Sequence, residues 1–490
     1  MTFAFDNTYA RLPGRFFASV PPTRVRAPRI VKVNRALAED LGLDANTLAS
    51  PEGAQLLAGN ELPLGAEPIA LAYAGHQFGA FVPQLGDGRA ILLGEVVGKN
   101  GRRVDIQLKG SGRTPFSRQG DGRAALGPVL REYIVSEAMA ALGVPTTRAL
   151  GAVLTGETVR REAVLPGAVL ARVSASHIRV GTFEFFAARE DREALAVLAS
   201  YALQRLYPEA TDTGNDALAL LERVVDAQAK LVARWLGVGF VHGVMNTDNT
   251  SIAGETIDYG PCAFLDEYDP AKTFSSIDQG GRYAFANQPR IAQWNLARFA
   301  ETLLPLLADS ERGAIRLATE RIERFSTLFI AAHARVLRAK LGFVCEEEDD
   351  PTLAADLLER MASSRVDFTV FFRKLCAVAK APSEDARIAS LFVEPGTFDD
   401  WSQRWRRRLA REHVAPDARA AAMSLVNPAF IARNHRVEQA LEAAVRRDDY
   451  EPFETLVRVL GRPYEDQPEV AFLAEPPRPE ERVAQTFCGT

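Results

Sequence analysis

The stretch "HGVMNTDNTSIAGETIDYG", residues 242–260, decides how the chain is interpreted. It follows a segment with helical hydrophobic spacing, and it carries an amide at Asn249 and a carboxylate at Asp258. Amide and carboxylate oxygens are hard ligands, suited to Mg²⁺ or Mn²⁺ ions that bridge phosphates. Asn249 and Asp258 are therefore candidate metal ligands.

The spacing within this stretch is that of a kinase catalytic loop with one substitution. Kinases place an aspartate base five residues before the metal-binding asparagine, and a DFG triplet follows. Here the base position holds Val244, and the triplet is DYG at 258–260. Because valine cannot accept a proton, Asp248 is the candidate base. Its alternative role is that of a turn-forming residue.

In the region before this loop, the sequence predicts strands and one helix, which would place a lysine next to an acidic side chain. Apolar and polar side chains alternate over residues 104–109, which predicts a half-buried strand ending at Lys109. Glu132 lies on a predicted helix over residues 126–143, so it is the candidate partner that orients Lys109. Glu137 is the alternative partner.

Two glycine-rich turns and two arginines complete the candidate site. The sequence "GDGR" occurs at residues 86–89 and 120–123, where glycine permits close approach of the backbone to phosphate or adenine. Arg172 and Arg179 flank "VSASHI", and guanidinium groups are well suited to phosphate oxygens. The alternatives are ordinary turns for the glycines and surface charge for the arginines.

Composition restricts the class of protein. Hydrophobic residues are 47% and charged residues 25%, and 58 Lys+Arg are nearly balanced by 63 Asp+Glu, which argues against binding nucleic acid through overall basic charge. No apolar stretch approaches the ~18 residues of a membrane span. The start has no secretory pattern, and the four cysteines form no CxxC pair. We expect a cytoplasmic protein with no membrane or nucleic-acid partner.

The order of predicted elements indicates an α+β fold, with a β-rich front half and a helical back half. Within the back half, Asn215 is the predicted N-cap of a helix that extends to residue 237. The predicted divisions are an irregular N-terminal extension packed on the N-lobe (1–70), a β-rich N-lobe (71–185), a helical C-lobe with the catalytic and metal-binding loops (186–470) and a tail with Cys488 (471–490).

Four long stretches resemble signature blocks of the selenoprotein O family, which comprises kinase-like protein adenylyltransferases. They are "YAGHQFGAFVPQLGDGRAILLGE" (73–95), "DIQLKGSGRTPFSRQGDGRAAL" (105–126), "VMNTDNTSIAGETIDYGPCAFLD" (244–266) and "GRYAFANQPRIAQWNLARFAETLLPL" (281–306). The terminal "FCGT" also resembles the family's ending, where some members have selenocysteine in place of Cys488.

The resemblance implies a protein-kinase-like two-lobed fold and transfer of AMP from ATP to Ser, Thr or Tyr hydroxyls of proteins, with release of pyrophosphate. ATP would be flipped relative to a kinase, Mg²⁺ or Mn²⁺ would be the cofactor, and UTP is an alternative nucleotide. It assigns Asp248 as the base, Glu132 as the partner of Lys109, and Asn249 and Asp258 as metal ligands. The implied nucleotide-binding residues are Gly86, Gly88, Arg89, Lys109, Asp121, Gly122, Arg172, Arg179 and Asp258.

The resemblance at the C-terminus also favours a reversible disulfide between Cys262, which follows DYGP, and Cys488 in the tail. The alternative is two unrelated thiols in a reducing cytoplasm.

Two other functions remain open at this point. An atypical kinase would transfer the γ-phosphate, and the absence of the kinase aspartate at Val244 argues against it. An ATP-binding pseudokinase scaffold would need no metal ligands, so intact Asn249 and Asp258 argue against that function.

Overall fold

An antiparallel sheet of eight strands forms the N-terminal part of the protein, in a computed structural model that describes residues 3–211, 214–394 and 396–487. These strands are β1 (Phe17–Ser19), β2 (Arg29–Val33), β3 (Ile69–Leu71), β6 (Ala90–Val97), β7 (Arg103–Lys109), β8 (Ala124–Ala125), β9 (Arg148–Arg160) and β10 (Val164–Ser174). Their order is β1-β3-β6-β7-β10-β9-β2, with β8 paired to β10. Two further pairs are β4 (Gly75–Gln77) with β5 (Ala80–Val82), and β11 (Phe240–Val241) with β12 (Ala263–Phe264).

Helices form most of the chain after β10. The helices are α1 (Arg35–Asp40), α2 (Ala45–Leu48), α3 (Pro51–Ala58), α4 (Leu126–Ala141), α5 (Val180–Ala187), α6 (Arg192–Leu206), α7 (Asp216–Gly237), α8 (Gln288–Leu307), α9 (Glu311–Leu341), α10 (Asp350–Ser364), α11 (Phe368–Lys380), α12 (Asp385–Ala389), α13 (Gly396–Leu409), α14 (Pro416–Ser424), α15 (Asn434–Arg447) and α16 (Glu451–Leu460). The predicted cap of α7 is confirmed, because the Asn215 side chain accepts a hydrogen bond from the Leu218 amide at 2.9 Å. The expected α+β architecture, with a β-rich front and a helical back, is confirmed.

The first 70 residues contribute directly to the sheet. β1 pairs with β3 and β2 pairs with β9, while α1, α2 and α3 cover one face of the sheet. We expected irregular structure here, but these residues form two strands of the sheet and three short helices. These elements are only a few residues long and are separated by Pro and Gly, so they show too few periods for a hydrophobic pattern to reveal them.

Strand β7 is buried on both faces, whereas the sequence predicted burial on one. Ile106 and Leu108 pack into the core under α1–α3. On the other face, Gln107 is fully buried, and Asp105 accepts a hydrogen bond from Arg205 of α6 at 2.5 Å. The polar face is covered because the helical part of the chain folds back against it, and alternation within a strand cannot predict such long-range burial.

The helices place two loops opposite the polar face of the sheet. Helices α7, α8 and α9 pack together around a core that includes Leu221, Val225 and Phe299. β11 and β12 then bracket residues 242–262, which contain the candidate catalytic and metal-binding loops. A second core under α10–α14 contains Trp401 and Trp405.

The last two helices return to the sheet and pack on α4. The ring of Tyr133 on α4 meets that of Phe453 on α16 edge-on at 5.6 Å. Arg131 of α4 pairs with Glu438 of α15 at 2.8 Å. Helix α4 is consequently held between the sheet and the C-terminal helices. Among the described residues, no helix has both the length and the apolar character needed to cross a membrane.

Candidate active site

Neighbouring strands and α4 bring Lys109, Arg172 and Glu132 together. Lys109 ends β7, and Arg172 lies on β10 opposite Gln107, so both side chains are on the same face of the sheet. Lys109 Nζ donates to Glu132 Oε2 at 2.6 Å, and Arg172 Nη1 donates to Glu132 Oε1 at 3.1 Å. Burial alone would raise the pKa of Glu132, but the charges of Lys109 and Arg172 lower it. Glu132 is thus an ionised acid that holds two cations.

Glu137, the alternative partner for Lys109, has other contacts. Its carboxylate accepts hydrogen bonds from Arg148 Nε at 2.9 Å and from Asn34 Nδ2 at 2.7 Å. It lies five residues after Glu132 on α4, so the two acids are on different faces of the helix. The geometry therefore pairs Lys109 with Glu132.

Asp258 is the point at which three cations meet. Its carboxylate accepts from Lys109 Nζ at 2.8 Å, from Arg172 Nη1 at 2.6 Å and from Arg179 Nη1 at 3.1 Å. Burial would raise the pKa of Asp258, but these three charges lower it well below its ordinary value. The backbone of Asp258 has a φ of 62°, a left-handed conformation that is uncommon outside glycine and often found at functional sites.

Arg179 links the sheet side of the site to the catalytic loop. Besides Asp258, its Nη1 donates to the main-chain oxygen of Asp248 at 2.7 Å. The guanidinium lies over the ring of Tyr73, 4.4 Å from its centroid, and the residue is only 2% exposed. A buried arginine fixed on two sides can present its remaining N–H groups in a defined direction.

The candidate catalytic loop contains Val244, Asp248 and Asn249. Residues Thr247–Asn249 form one turn of 3₁₀ helix, and Asn249 Nδ2 donates to the Val244 main-chain oxygen at 3.1 Å. The main chain of Val244 thus orients the Asn249 amide, although its side chain has no acid–base function. Asp248 is 8% exposed, and burial raises its pKa to about 6.

The first GDGR turn connects to the charged residues through its aspartate. Asp87 Oδ2 accepts from Gln107 Nε2 at 3.1 Å, and Gln107 Oε1 in turn accepts from Arg172 Nη2 at 2.5 Å. Arg89 lines the same cleft as Lys109, Glu132 and the DYG glycine. Gly86 has a φ of 77°, and a Cβ there would lie 2.2 Å from the ring of Phe116, so this position requires glycine. Gly88 lies against the main chain of Phe116.

The second GDGR turn is arranged differently. Asp121 accepts from Arg161 at 2.8 and 3.0 Å, and Gly122 lies against the main chain of Gly112. No described contact joins Asp121 or Gly122 to Lys109 or Asp258. Their nucleotide-binding role stays a prediction from the resemblance.

Cys262 is fully buried beside the DYG triplet. Burial raises the pKa of its thiol to about 11, and Arg131 Nη2 donates to its main-chain oxygen at 2.5 Å. The C-terminal tail reaches this point, because Thr486 Oγ1 donates to the main-chain oxygen of Pro261 at 2.5 Å. Cys488 lies outside the described residues.

Three residues that support the site were missed in the sequence. Gln107 binds Arg172, Tyr73 packs on Arg179, and Gln77 Nε2 donates to Asp248 Oδ2 at 3.2 Å. The alternation in β7 carried a signal for Gln107, since it shares a face with Lys109. Tyr73 lies 106 residues before Arg179, and Gln77 lies 171 residues before Asp248, so no local pattern connects either residue to its partner.

Asn249 and Asp258 supply the oxygen types that suit a metal ion bound mainly by nucleotide phosphates, and their role as ligands stays a prediction. Mg²⁺ is usually held by one or two protein oxygens, with phosphates and water as the other ligands. One amide and one carboxylate held ionised by its neighbours meet this requirement. The described part of the chain contains no group of three or more His, Cys, Asp or Glu side chains that could enclose a metal by themselves.

Taken together, three fixed cations lie beside the carboxylates of Asp258 and Glu132 and next to the loop that contains Asp248, an arrangement suited to a polyphosphate. Comparisons with known proteins agree with this chemistry. A family model described as "Protein adenylyltransferase SelO" matches residues 1–461. The chain is 63% identical to a protein nucleotidyltransferase YdiU of Methylorubrum populi, over 100% of this chain and 99% of that protein. It is 61% identical to proteins of the same name from Bradyrhizobium sp. (strain ORS 278) and Rhodopseudomonas palustris (strain BisB18), with the same coverage.

Proposed function

The chain belongs to the SelO family of protein adenylyltransferases, and from this premise we propose that it transfers AMP from ATP to Ser, Thr or Tyr hydroxyls of other proteins. Pyrophosphate is the second product. The observation that carries the proposal is the convergence of Lys109, Arg172 and Arg179 on Asp258, within 3.1 Å, at the edge of the loop that contains Asp248.

The three cations bind and orient the triphosphate. Arg172 and Arg179 are buried and already fixed by Gln107 and Tyr73, so little side-chain entropy is lost when they bind phosphate oxygens. Glu132 keeps Lys109 and Arg172 in place. The resemblance indicates the direction of ATP, with the α-phosphate toward the acceptor protein.

Asp248 acts as the general base. The acceptor hydroxyl loses its proton to the Asp248 carboxylate, its oxygen forms a bond to the α-phosphorus, and the bond from that phosphorus to the pyrophosphate oxygen breaks. Asp248 is next to Asn249 and shares Arg179 with Asp258, which supports a position near the phosphates. This arrangement explains why Val244 can replace the kinase base.

Asn249 and Asp258 would hold Mg²⁺ or Mn²⁺, which would supply positive charge to the phosphate oxygens. UTP is a second candidate nucleotide, because the contacts described above are directed at phosphate and not at a base. We place the reaction in the cytoplasm, where ATP and protein acceptors are both available.

Labelled ATP tests the proposed function against its two alternatives. The protein is incubated with Mg²⁺ or Mn²⁺ and either α-³²P-ATP or γ-³²P-ATP, together with a hydroxyl-rich acceptor protein. Adenylyl transfer labels protein only from α-³²P-ATP. Label from γ-³²P-ATP alone would identify a kinase, and a lack of label from both would identify an ATP-binding scaffold.

We also propose the reversible Cys262–Cys488 disulfide as a control on access to the site. Thr486 contacts Pro261, the residue before Cys262. Cys488 follows Thr486 by two residues, and two residues of chain span at most about 7 Å, so this contact supports the pairing. Peptide mapping under non-reducing conditions should find the linked pair, and dithiothreitol should change AMP transfer by the wild type but not by Cys488→Ser. Equal activity of both proteins with and without dithiothreitol would refute it.

A further inference from the structure

A short hairpin, residues 75–82, packs directly on the catalytic loop. It consists of β4 and β5, which pair with each other and lie outside the large sheet. The His76 amide donates to Thr247 Oγ1 at 2.6 Å, and the Phe78 amide donates to Asn246 Oδ1 at 3.0 Å. The main chain of the hairpin is thus anchored to the two residues immediately before Asp248.

The same hairpin surrounds the carboxylate of Asp248. Gln77 Nε2 donates to Asp248 Oδ2 at 3.2 Å. Asp248 Oδ1 is buried and has no hydrogen-bond partner among the described residues. A Cβ at residue 75 would lie 2.7 Å from Oδ1, so only glycine permits this approach of the backbone. Gly75 therefore shields one oxygen, and Gln77 binds the other.

The turn of the hairpin is held in a strained conformation. Phe78 has a φ of 52° and Gly79 a φ of 88°, as in a two-residue turn with both central residues left-handed. A left-handed conformation is unfavourable for an aromatic residue, and such strain persists only where the surroundings impose it. Here Tyr283 packs on the Phe78 ring at 5.1 Å and donates to Asn246 Oδ1 at 2.7 Å. The position of Gln77 is accordingly fixed from several sides.

We propose that Gln77 is a positioning residue for adenylyl transfer, which orients the Asp248 carboxylate toward the acceptor hydroxyl. A carboxylate oxygen has two lone-pair positions. Gln77 occupies one on Oδ2 and Gly75 covers Oδ1, so the second position on Oδ2 receives the proton as the hydroxyl oxygen bonds to the α-phosphorus and pyrophosphate leaves. The inference rests on the proposed function of Asp248 as base.

The test removes the donor and keeps the size of the side chain. Gln77→Met retains an unbranched side chain of similar length but cannot donate to Asp248. We expect kcat for transfer from α-³²P-ATP to fall at least about 10-fold, as a fraction of the ~10²–10⁴-fold contribution of a general base. KM for ATP should stay within about twofold of the wild-type value. The thermal shift produced by Mg²⁺-ATP should be unchanged. Gln403→Met, at an exposed position on α13, is the matched control and should behave as the wild type.

A double mutant separates positioning from a structural role. Asp248→Asn removes the base, so Gln77→Met in that background should cause no further loss of rate. The role of Gln77 would be overturned if Gln77→Met had the wild-type kcat, a raised KM for ATP or no thermal shift with Mg²⁺-ATP. It would also be overturned if the substitution lowered the rate equally in both backgrounds. A fully active Asp248→Asn enzyme would instead refute the base assignment, and absence of α-label from the wild type would refute the proposed function.

Discussion

At the scale of single residues, the charged side chains around Asp258 are held in fixed positions. Lys109, Arg172 and Arg179 face two carboxylates, those of Asp258 and Glu132, so these five side chains together carry one net positive charge. A bound metal would add positive charge, which the oxygens of a polyphosphate can neutralise. Each cation is held by hydrogen bonds at a defined position, which favours one orientation of the phosphates.

Asp258→Ala should abolish both AMP transfer and stabilisation by Mg²⁺-ATP. The substitution removes the proposed metal ligand and leaves the three cations without the carboxylate that they share. In the wild type, ATP at 100 times its Kd should stabilise the fold by about 2.7 kcal/mol, measured as a shift in Tm. Asp309→Ala, at an exposed position, is the control and should keep the full shift. A normal shift in Asp258→Ala would show that Asp258 is not a ligand.

At the scale of elements, the local part of the site could be predicted and the long-range part could not. The alternation in β7 and the helical pattern of α4 identified Lys109 and limited its partner to Glu132 or Glu137, because both patterns are local. Choosing between Glu132 and Glu137 required the contacts of Glu137 with Arg148 and Asn34, which come from distant elements. Gln77 could not be predicted, since its contact with Asp248 joins segments far apart in the chain.

The segment between the two loops is tied to the end of β10 through Glu255. Its carboxylate accepts from Ser174 Oγ at 2.7 Å and from the Ala175 amide at 3.1 Å. Burial raises the pKa of Glu255 to about 7. A raised pKa in the folded state means that ionisation of Glu255 opposes folding, so its favourable contribution is complete below the unfolded pKa and is lost as pH rises through the folded value.

Glu255→Gln should therefore remove part of the dependence of stability on pH. Between the unfolded pKa of about 4.3 and pH 7, wild-type stability should fall relative to Glu255→Gln by up to about 1.4 kcal/mol per pH unit. The two proteins should be equally stable well below the unfolded pKa of about 4.3, and the variant should be more stable at pH 8. Urea unfolding at several pH values measures this difference, with exposed Glu61→Gln as the control. Parallel stability profiles for wild type and Glu255→Gln would contradict the shift.

At the scale of the whole molecule, the C-terminal helices α15 and α16 hold α4, the helix that contributes Glu132. Helices α15 and α16 pack on α4 through the Tyr133–Phe453 contact, and Tyr464 donates to the Leu142 main-chain oxygen at 3.0 Å. Arg131, next to Glu132, also donates to the main-chain oxygens of Gly260 and Cys262 at 3.2 and 2.5 Å. The C-terminal helices and the DYG segment thus fix α4 together, which keeps Glu132 within reach of Lys109.

Phe453→Ala tests this long-range support. Phe453 is fully buried, so its loss should cost about 3–5 kcal/mol of unfolding free energy and should loosen α16 on α4. Phe398→Ala is the matched control, because Phe398 is equally buried but belongs to the second core, away from α4. Both variants should lose similar stability. Assayed well below the lower Tm, only Phe453→Ala should also lose AMP transfer and bind ATP more weakly, since Glu132 no longer holds Lys109 and Arg172 in place. Equal effects of the two substitutions on ATP binding would mean that the C-terminal helices stabilise the fold without positioning the site.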